Sequence, residues 1–198
     1  FVATTGGFIG VAAMAMAGFG RIARAVAVRA RTFGLTVVAY DPLVESAVFA
    51  QYGVEQVDLD ALLPRSDIVS VHVSLNDRTR HLINADALAR MQRHAILINT
   101  ARGPVVDEAA LIDALQQGRI AGAGLDVFEQ EPIAADNPLL AMPNVVLLPH
   151  SAGLSTAAPE EQRVKCVADV VRILTGRPPR PEAFVNPEVW TQSTVRDA

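Results

Sequence analysis

The sequence has little cysteine, no excess of basic charge and no pair of histidines at helical spacing. Its one cysteine, Cys166, excludes an internal disulfide framework and a cysteine-rich metal site, and it fits a reducing, cytoplasmic setting. The four histidines, His72, His81, His94 and His150, never stand four residues apart, so no two offer a metal the same helical face and no metal site is expected. A formal net charge of −4 and a pI near 5.5 lack the basic surplus that duplex binding uses, so nucleic acid is not an expected partner. With 51% hydrophobic and 19% charged residues, the chain is neither disordered nor collagen-like. Its 198 residues suit one domain with something attached, and two full lobes would be cramped.

Charge is also missing from residues 1–20. That is the length of a membrane span, and Ala15-Met16-Ala17 imitates a signal-peptidase site. Against both readings, five glycines dilute the run, no basic residue precedes it, and cleavage after Ala17 would open the chain inside a glycine turn that has its own use. No membrane association is expected. The first residue is Phe1 rather than Met, as in a fragment or a processed product.

What is present is a recurring set of apolar, β-prone runs, at 11–17, 35–40, 68–73, 95–99, 120–125 and 145–148. They do not alternate with polar residues, which is the pattern of strands buried on both faces of a parallel sheet. Helical segments fill the intervals. In 21–33, Ile22, Val26, Ala30 and Phe33 fall on one face, and Arg21, Arg24 and Arg31 form a solvated one. Asn84 and Asp107 read as N-caps, with Leu111, Ile112 and Leu115 as the buried stripe of the second helix and Gly118 as its stop. A longer amphipathic helix is expected over 159–176, with Cys166 as core filler on its apolar side. Strand, helix and strand in repetition predict an α/β fold, a Rossmann-type doubly wound parallel sheet of about seven strands. The expected organisation is a dinucleotide-binding domain over 1–176 followed by a Pro-rich linker and tail over 177–198.

The turn Gly18-Phe19-Gly20-Arg21-Ile22-Ala23 stands between a strand and a helix, where a G-x-G-x-x-A fingerprint binds a dinucleotide. Gly18 permits the tight turn, Gly20 lets the backbone approach a pyrophosphate, and small Ala23 lets the helix close on the strand with its first amides facing the anion. The second strand ends at Tyr40-Asp41, about twenty residues later, where a carboxylate accepts bonds from both ribose hydroxyls. Asp41 repels the extra phosphate of NADP, and no arginine follows in Asp41-Pro42-Leu43-Val44, so NAD is the expected cofactor. The alternative is a plain turn after a strand.

Three further segments close later strands: Asn99-Thr100-Ala101-Arg102-Gly103, the run from Leu125-Asp126-Val127-Phe128 to Glu131-Pro132, and Pro149-His150-Ser151-Ala152-Gly153. In this order behind the glycine turn, they resemble the NAD-binding lobe of the D-isomer-specific 2-hydroxyacid dehydrogenases, phosphoglycerate-dehydrogenase-like members above all. The likeness runs over about 11–190. It implies that Arg102 clamps a substrate carboxylate, that His150 exchanges the proton of the substrate hydroxyl, and that Glu131 holds the imidazole in one tautomer and favours its charged form. It also implies that Asp126, Thr100 and Ala101 border the nicotinamide, that Arg21 and Ile22 meet the pyrophosphate, and that Pro42, Val73, Thr79 and Gly153 complete the cofactor contacts together with Arg102 and His150, which touch the cofactor as well as the substrate. A homodimer and a small 2-hydroxy or 2-keto acid substrate follow from the same likeness.

Taken singly, Arg102, Glu131 and His150 could each be a strand-end cap, a surface turn and a loop histidine. His72, His81 and His94 lack comparable company and read as structural or surface residues. The sequence departs from the family at His72-Val73-Ser74-Leu75-Asn76, where a proline is usual at the position of Ser74, and residues 1–10 match no usual element. The substrate lobe that precedes the first strand in the family is absent, with only its returning tail near Val185 to Trp190 recognisable. The chain by itself is therefore expected to bind NAD and turn over poorly or not at all. The rival reading is a non-catalytic NAD(H)-sensing interaction protein of the corepressor type. Formate dehydrogenase is disfavoured, because Glu131 stands where that enzyme would carry glutamine.

Overall fold

The computed structural model describes residues 12–155 and 157–184. The apolar runs form the strands β1 (Ala13–Ala17), β2 (Thr36–Tyr40), β4 (Ile68–Val71), β5 (Ile96–Asn99), β6 (Gly122–Leu125) and β7 (Val145–Leu147). A two-residue strand, β3 (Glu55–Gln56), adds an edge that the sequence does not announce, since both residues are polar and exposed and pair only with Val38 and Ala39. Among the described strands every pairing is parallel, in the order β3-β2-β1-β4-β5-β6-β7. The chain runs outward from β1 to β3 and returns beside β1 as β4. Between the carboxyl ends of those two neighbours lies the crevice where doubly wound sheets take their ligands.

The helices are α1 (Arg21–Thr32), α2 (Ser46–Gln51), α3 (Leu59–Leu62), α4 (Ala85–Arg90), α5 (Glu108–Gln116) and α6 (Ala158–Leu174). Asn84 and Asp107 cap α4 and α5 as expected, each accepting an amide three residues on, from Ala87 at 2.9 Å and from Ala110 at 3.0 Å. Gly118, at φ +62°, ends α5. Alternation along β1 divides the core. Ala15 packs with Val38, Val69, Val71 and Leu97 on one face, and Met14 and Met16 pack with Phe19, Ala23, Ala27 and Phe49 on the other.

Helix α1 corrects the expected stripe. Ile22 and Phe33 are 71% and 84% exposed, while Ala23, Ala27 and Ala30 are buried. A row of methyl groups lets the helix approach the sheet more closely than branched or aromatic side chains would, and Phe33 has already left the helix as its C-cap.

The residues group into two compact units, Phe1–Ala152 and Gly153–Ala198, so α6, which the sequence reading counted with the nucleotide-binding domain, lies in the second. None of the α6 residues is buried, and Cys166 is exposed rather than core filler. Asp169 and Arg180 pair at 2.7 Å within this unit. Among the described residues no helix is long and apolar enough to cross a membrane. Residues 1–10 and the tail near Val185 to Trp190 lie outside the described residues.

Candidate functional site

The glycine turn is built by two different constraints. Gly18 adopts φ +101°, and a Cβ there would lie 2.8 Å from the backbone carbon of His72 and 2.9 Å from the amide nitrogen of Val73. Only glycine lets β1 turn this close to the end of β4. Gly20 behaves differently, since a Cβ would meet nothing within 4 Å. It faces open space at the mouth of α1, whose first turn has no acidic residue and no side-chain cap. That mouth has the room and the unopposed dipole that suit a phosphate group.

Asp41 joins the turn to β2. Its Oδ2 accepts the Phe19 amide at 2.9 Å and its Oδ1 the Leu43 amide at 3.0 Å. A carboxylate has about four acceptor positions, so these bonds orient the group and leave capacity for hydroxyl donors. Asp41 and Pro42 line a cavity of about 300 Å³ with Tyr40, Gln56, Val57 and Asp58. A second cavity, of about 570 Å³, gathers Ile22, Val73, Thr100, Ala101 and Arg102 with His72, Ser74 and Leu75. Six residues expected at a cofactor, Arg102 among them, thus fall in these two hollows with Asp41, on the side of the sheet where β1, β2, β4 and β5 end. Arg21 opens α1 and is exposed. Thr79 shapes the loop after β4, donating to the Ser74 carbonyl at 2.6 Å. Gly153 belongs to the second compact unit.

Three loops carry the groups expected to do chemistry. After β5, buried Asn99 accepts the Ala101 amide and donates to the Arg102 carbonyl, both at 3.0 Å, which shapes the turn that presents Arg102. The Arg102 guanidinium is exposed and bonds the Ala101 carbonyl through Nη1. After β6, Glu131 divides its oxygens. Oε1 accepts the Phe128 amide at 3.1 Å, and Oε2 lies 2.8 Å from Nδ1 of His150. The bond to His150 first, then the Phe128 amide, holds the Glu131 carboxyl below its usual range, against burial and the nearby Asp126 charge.

His150 sits at φ +53°, in the left-handed region that histidine enters more readily than most side chains. Asp126 secures that conformation. Its carbonyl accepts the His150 amide at 2.9 Å, and its buried carboxylate takes the amides of Ser151 and Ala152 at 2.7 and 2.9 Å. Sequence reasoning gave Asp126 only a cofactor contact. Its second use was open to inference only once a strand-end acid and the loop after the next strand were known to meet.

Two further residues were passed over. Gly103 lies against the Phe128 peptide, where a Cβ would come within 1.8 Å of the carbonyl oxygen, so the Arg102 loop and the Glu131 loop are in direct backbone contact. His72 lines the larger cavity, bonds Ser70 Oγ at 2.9 Å, and is driven by burial to a pKa of about 4. It is neutral at physiological pH. His81 and His94 also have company that the sequence did not reveal, in Glu129 at 2.7 Å and Asp67 at 2.5 Å. Among the described residues no group of three or more His, Cys, Asp or Glu side chains is arranged to hold a metal.

Comparison with known proteins gives this arrangement its relatives. Residues 8–152 match the family model described as D-isomer specific 2-hydroxyacid dehydrogenase, NAD binding domain. A glyoxylate reductase of Korarchaeum cryptofilum is 53% identical over 142 residues, which is 72% of this chain and 43% of that protein. A D-3-phosphoglycerate dehydrogenase of Methanocaldococcus jannaschii is 42% identical over 156 residues, 78% of this chain and 29% of that one. Among solved structures, D-lactate dehydrogenase with NAD+ from Lactobacillus jensenii superposes with a TM-score of 0.80 at 35% identity, covering 85% of this chain and 54% of that one. The chain thus spans about half, or less, of the length of these proteins. It belongs to the D-isomer-specific 2-hydroxyacid dehydrogenase family, of which it carries the NAD-binding domain.

Proposed function

We propose that this chain binds NAD and contributes one side of the active site of a dehydrogenase acting on small D-2-hydroxy acids. The observation that carries the reading is the His150–Glu131 bond of 2.8 Å on a loop in backbone contact with the one that presents Arg102. Bound NAD supplies the hydride acceptor, or as NADH the donor. Asp41 takes the ribose hydroxyls and disfavours a phosphate there, and Gly20 with the first amides of α1 takes the pyrophosphate. Arg102 offers a planar fork to the substrate carboxylate. His150 exchanges a proton with the substrate hydroxyl through Nε2, while Glu131 holds Nδ1 and stabilises the imidazolium. The tail over 177–198 completes a substrate lobe supplied by the longer protein, which works as a cytoplasmic homodimer.

The relatives named above are reductases and dehydrogenases, which favours catalysis over a corepressor-type sensor. Their substrates by name are glyoxylate, D-lactate and D-3-phosphoglycerate, which supports a small 2-oxo acid. Calorimetric titration of the chain tests the cofactor assignment: NAD binds, NADP binds at least tenfold more weakly, and Asp41→Ala narrows the difference. Tight NADP binding without NAD binding would sink it. A panel of 2-oxo acids with NADH, applied to a longer protein that joins this chain to a substrate lobe, separates enzyme from sensor.

A further inference from the structure

The loop after β6 carries two acidic side chains, each bonded to a histidine. Glu131 holds His150. Two residues earlier, Glu129 Oε1 lies 2.7 Å from Nε2 of His81, a residue 48 positions away in sequence. The same Glu129 oxygen accepts the amide of Glu108, the first residue of α5, at 3.2 Å, and the Glu129 amide returns a bond to Glu108 Oε2 at 3.1 Å. Asn137 Nδ2 holds the other Glu108 oxygen at 2.7 Å. One side of the loop is therefore fixed to the start of a helix, and the His81 side chain reaches Glu129 from the segment between β4 and α4.

His81 is itself attached to the Arg102 loop. Its amide donates to the Pro104 carbonyl at 2.9 Å, and two residues on Ile83 donates to Val105 at 3.1 Å. The short helix Gly103–Val105 that receives these bonds follows Arg102 directly. The side chain thus reaches the Glu131 loop while the backbone grips the Arg102 loop. On its inner side the contact is completed by Gly103 against the Phe128 peptide. His81 adopts φ +51° to do this, a conformation in which glycine costs less than any residue with a Cβ. Side chains in the pair are 42% and 36% exposed. As a source of global stability the pair is thus worth little, and its consequence is geometric.

We propose that His81 is a positioning residue: by bonding Glu129 it braces the loop that carries Glu131 against the segment that carries Arg102, and so sets where the His150 imidazole is held. This rests on the functional reading given above for Arg102, Glu131 and His150. Loss of the brace frees the 128–131 turn, and the paired oxygens of Glu131 lose their registration on the Phe128 amide and the His150 ring.

The test follows the Glu131 carboxyl carbon and the His150 ring by NMR in the 198-residue chain, with no dependence on turnover. His81→Gly keeps the backbone comfortable at positive φ and removes only the ring. Its expected result is a Glu131 midpoint raised by about half a pH unit, faster exchange of the Phe128 amide, shifted His150 resonances and a nearly unchanged melting temperature. Glu129→Ala gives the same shift, the double variant adds nothing further, and His81→Gln, which still offers a donor, recovers part of it. Unchanged Glu131 and His150 signals in His81→Gly, or strictly additive shifts in the double variant, overturn the brace. A wild-type Glu131 that titrates at its ordinary value overturns the pairing with His150 and the brace together, whereas intact brace signals in a chain that binds no NAD would overturn only the functional reading.

Discussion

Gly103 and Phe128 are in backbone contact, with the Gly103 α-hydrogen pointing at a peptide so close that a Cβ would lie 1.8 Å from the Phe128 oxygen and 1.9 Å from its carbon. Backbone cannot rotate out of the way as a side-chain tip can. Gly103→Ala therefore separates the loop of Arg102 from the loop of Glu131. The expected cost is about 2–3 kcal/mol, in the range of core overpacking, and the Glu131–His150 bond should loosen with it. Urea unfolding reads the first effect and the His150 ring resonances read the second. An alanine variant with wild-type stability would mean that the two loops have slack.

Gly20 gives the opposite expectation. A Cβ there meets nothing within 4 Å, so Gly20→Ala should cost no more than about 1 kcal/mol, the step from glycine to alanine at an N-cap. The methyl group would occupy the space at the helix mouth proposed above for the pyrophosphate, and on that proposal NAD affinity should fall by at least about tenfold. Calorimetry and thermal melting on the same sample separate the two quantities. Equal NAD affinity in the variant would place the diphosphate elsewhere.

The contrast between these glycines shows where a sequence can be read and where it cannot. Gly18 and Gly20 stand in a local pattern, between a strand and a helix, that marks the turn by itself, although the backbone that Gly18 must clear belongs to His72 and Val73. Gly103 is constrained by a peptide 25 residues away, and nothing near it in sequence marks that contact. The buried strands were legible because both faces are apolar, and the caps Asn84 and Asp107 because capping is local. Short β3 has no apolar signal, and the alanine face of α1 was outweighed by Ile22 and Phe33, which are bulkier yet exposed. His81 and His94 met carboxylates 48 and 27 positions away, pairings that only the sheet order and the loop paths create. Glu131 and His150 were linked through resemblance, and the structure brings them together, whereas the buried work of Asp126 on the Ser151 and Ala152 amides had no local signature.

His72 makes stability depend on pH in a defined window. Burial lowers its pKa from 6.5 to about 4, so the folded chain refuses a proton that the unfolded chain accepts. Stability from this group is complete above the unfolded value and is lost as pH falls from about 6.5 towards 4. With its partial exposure, the expected loss is about 2 kcal/mol. His72→Gln should flatten that slope between pH 6.5 and 4 in urea unfolding, and the wild-type Cε1 proton should titrate near 4. A midpoint near 6.5 would show the ring to be solvated.

Asp67 acts at the other end of the sheet and at lower pH. Its backbone joins β4 to its neighbours, since its amide donates to Ala13 at 2.9 Å and its carbonyl accepts from Ile96 at 2.9 Å. Its carboxylate takes the Ala13 amide at 2.6 Å and faces Nε2 of His94 at 2.5 Å. The His94 bond first, and then the Ala13 amide, lowers the Asp67 pKa below 3.8, against the effect of burial. A depressed acid contributes stability that is complete above the unfolded value and disappears as pH falls through the lower folded one. Asp67→Asn should therefore cost about 1 kcal/mol at pH 7, a modest figure because the pair is partly exposed, and lower the melting temperature by roughly 2–4 °C. The wild-type advantage should persist at pH 5, above the range in which Asp67 takes up its proton, and shrink at pH 3, so that comparison of urea midpoints at pH 7, 5 and 3 separates this acid from His72, whose contribution has already declined by pH 5. Equal midpoints for wild type and Asp67→Asn at pH 7 would show that the carboxylate does nothing that an amide cannot.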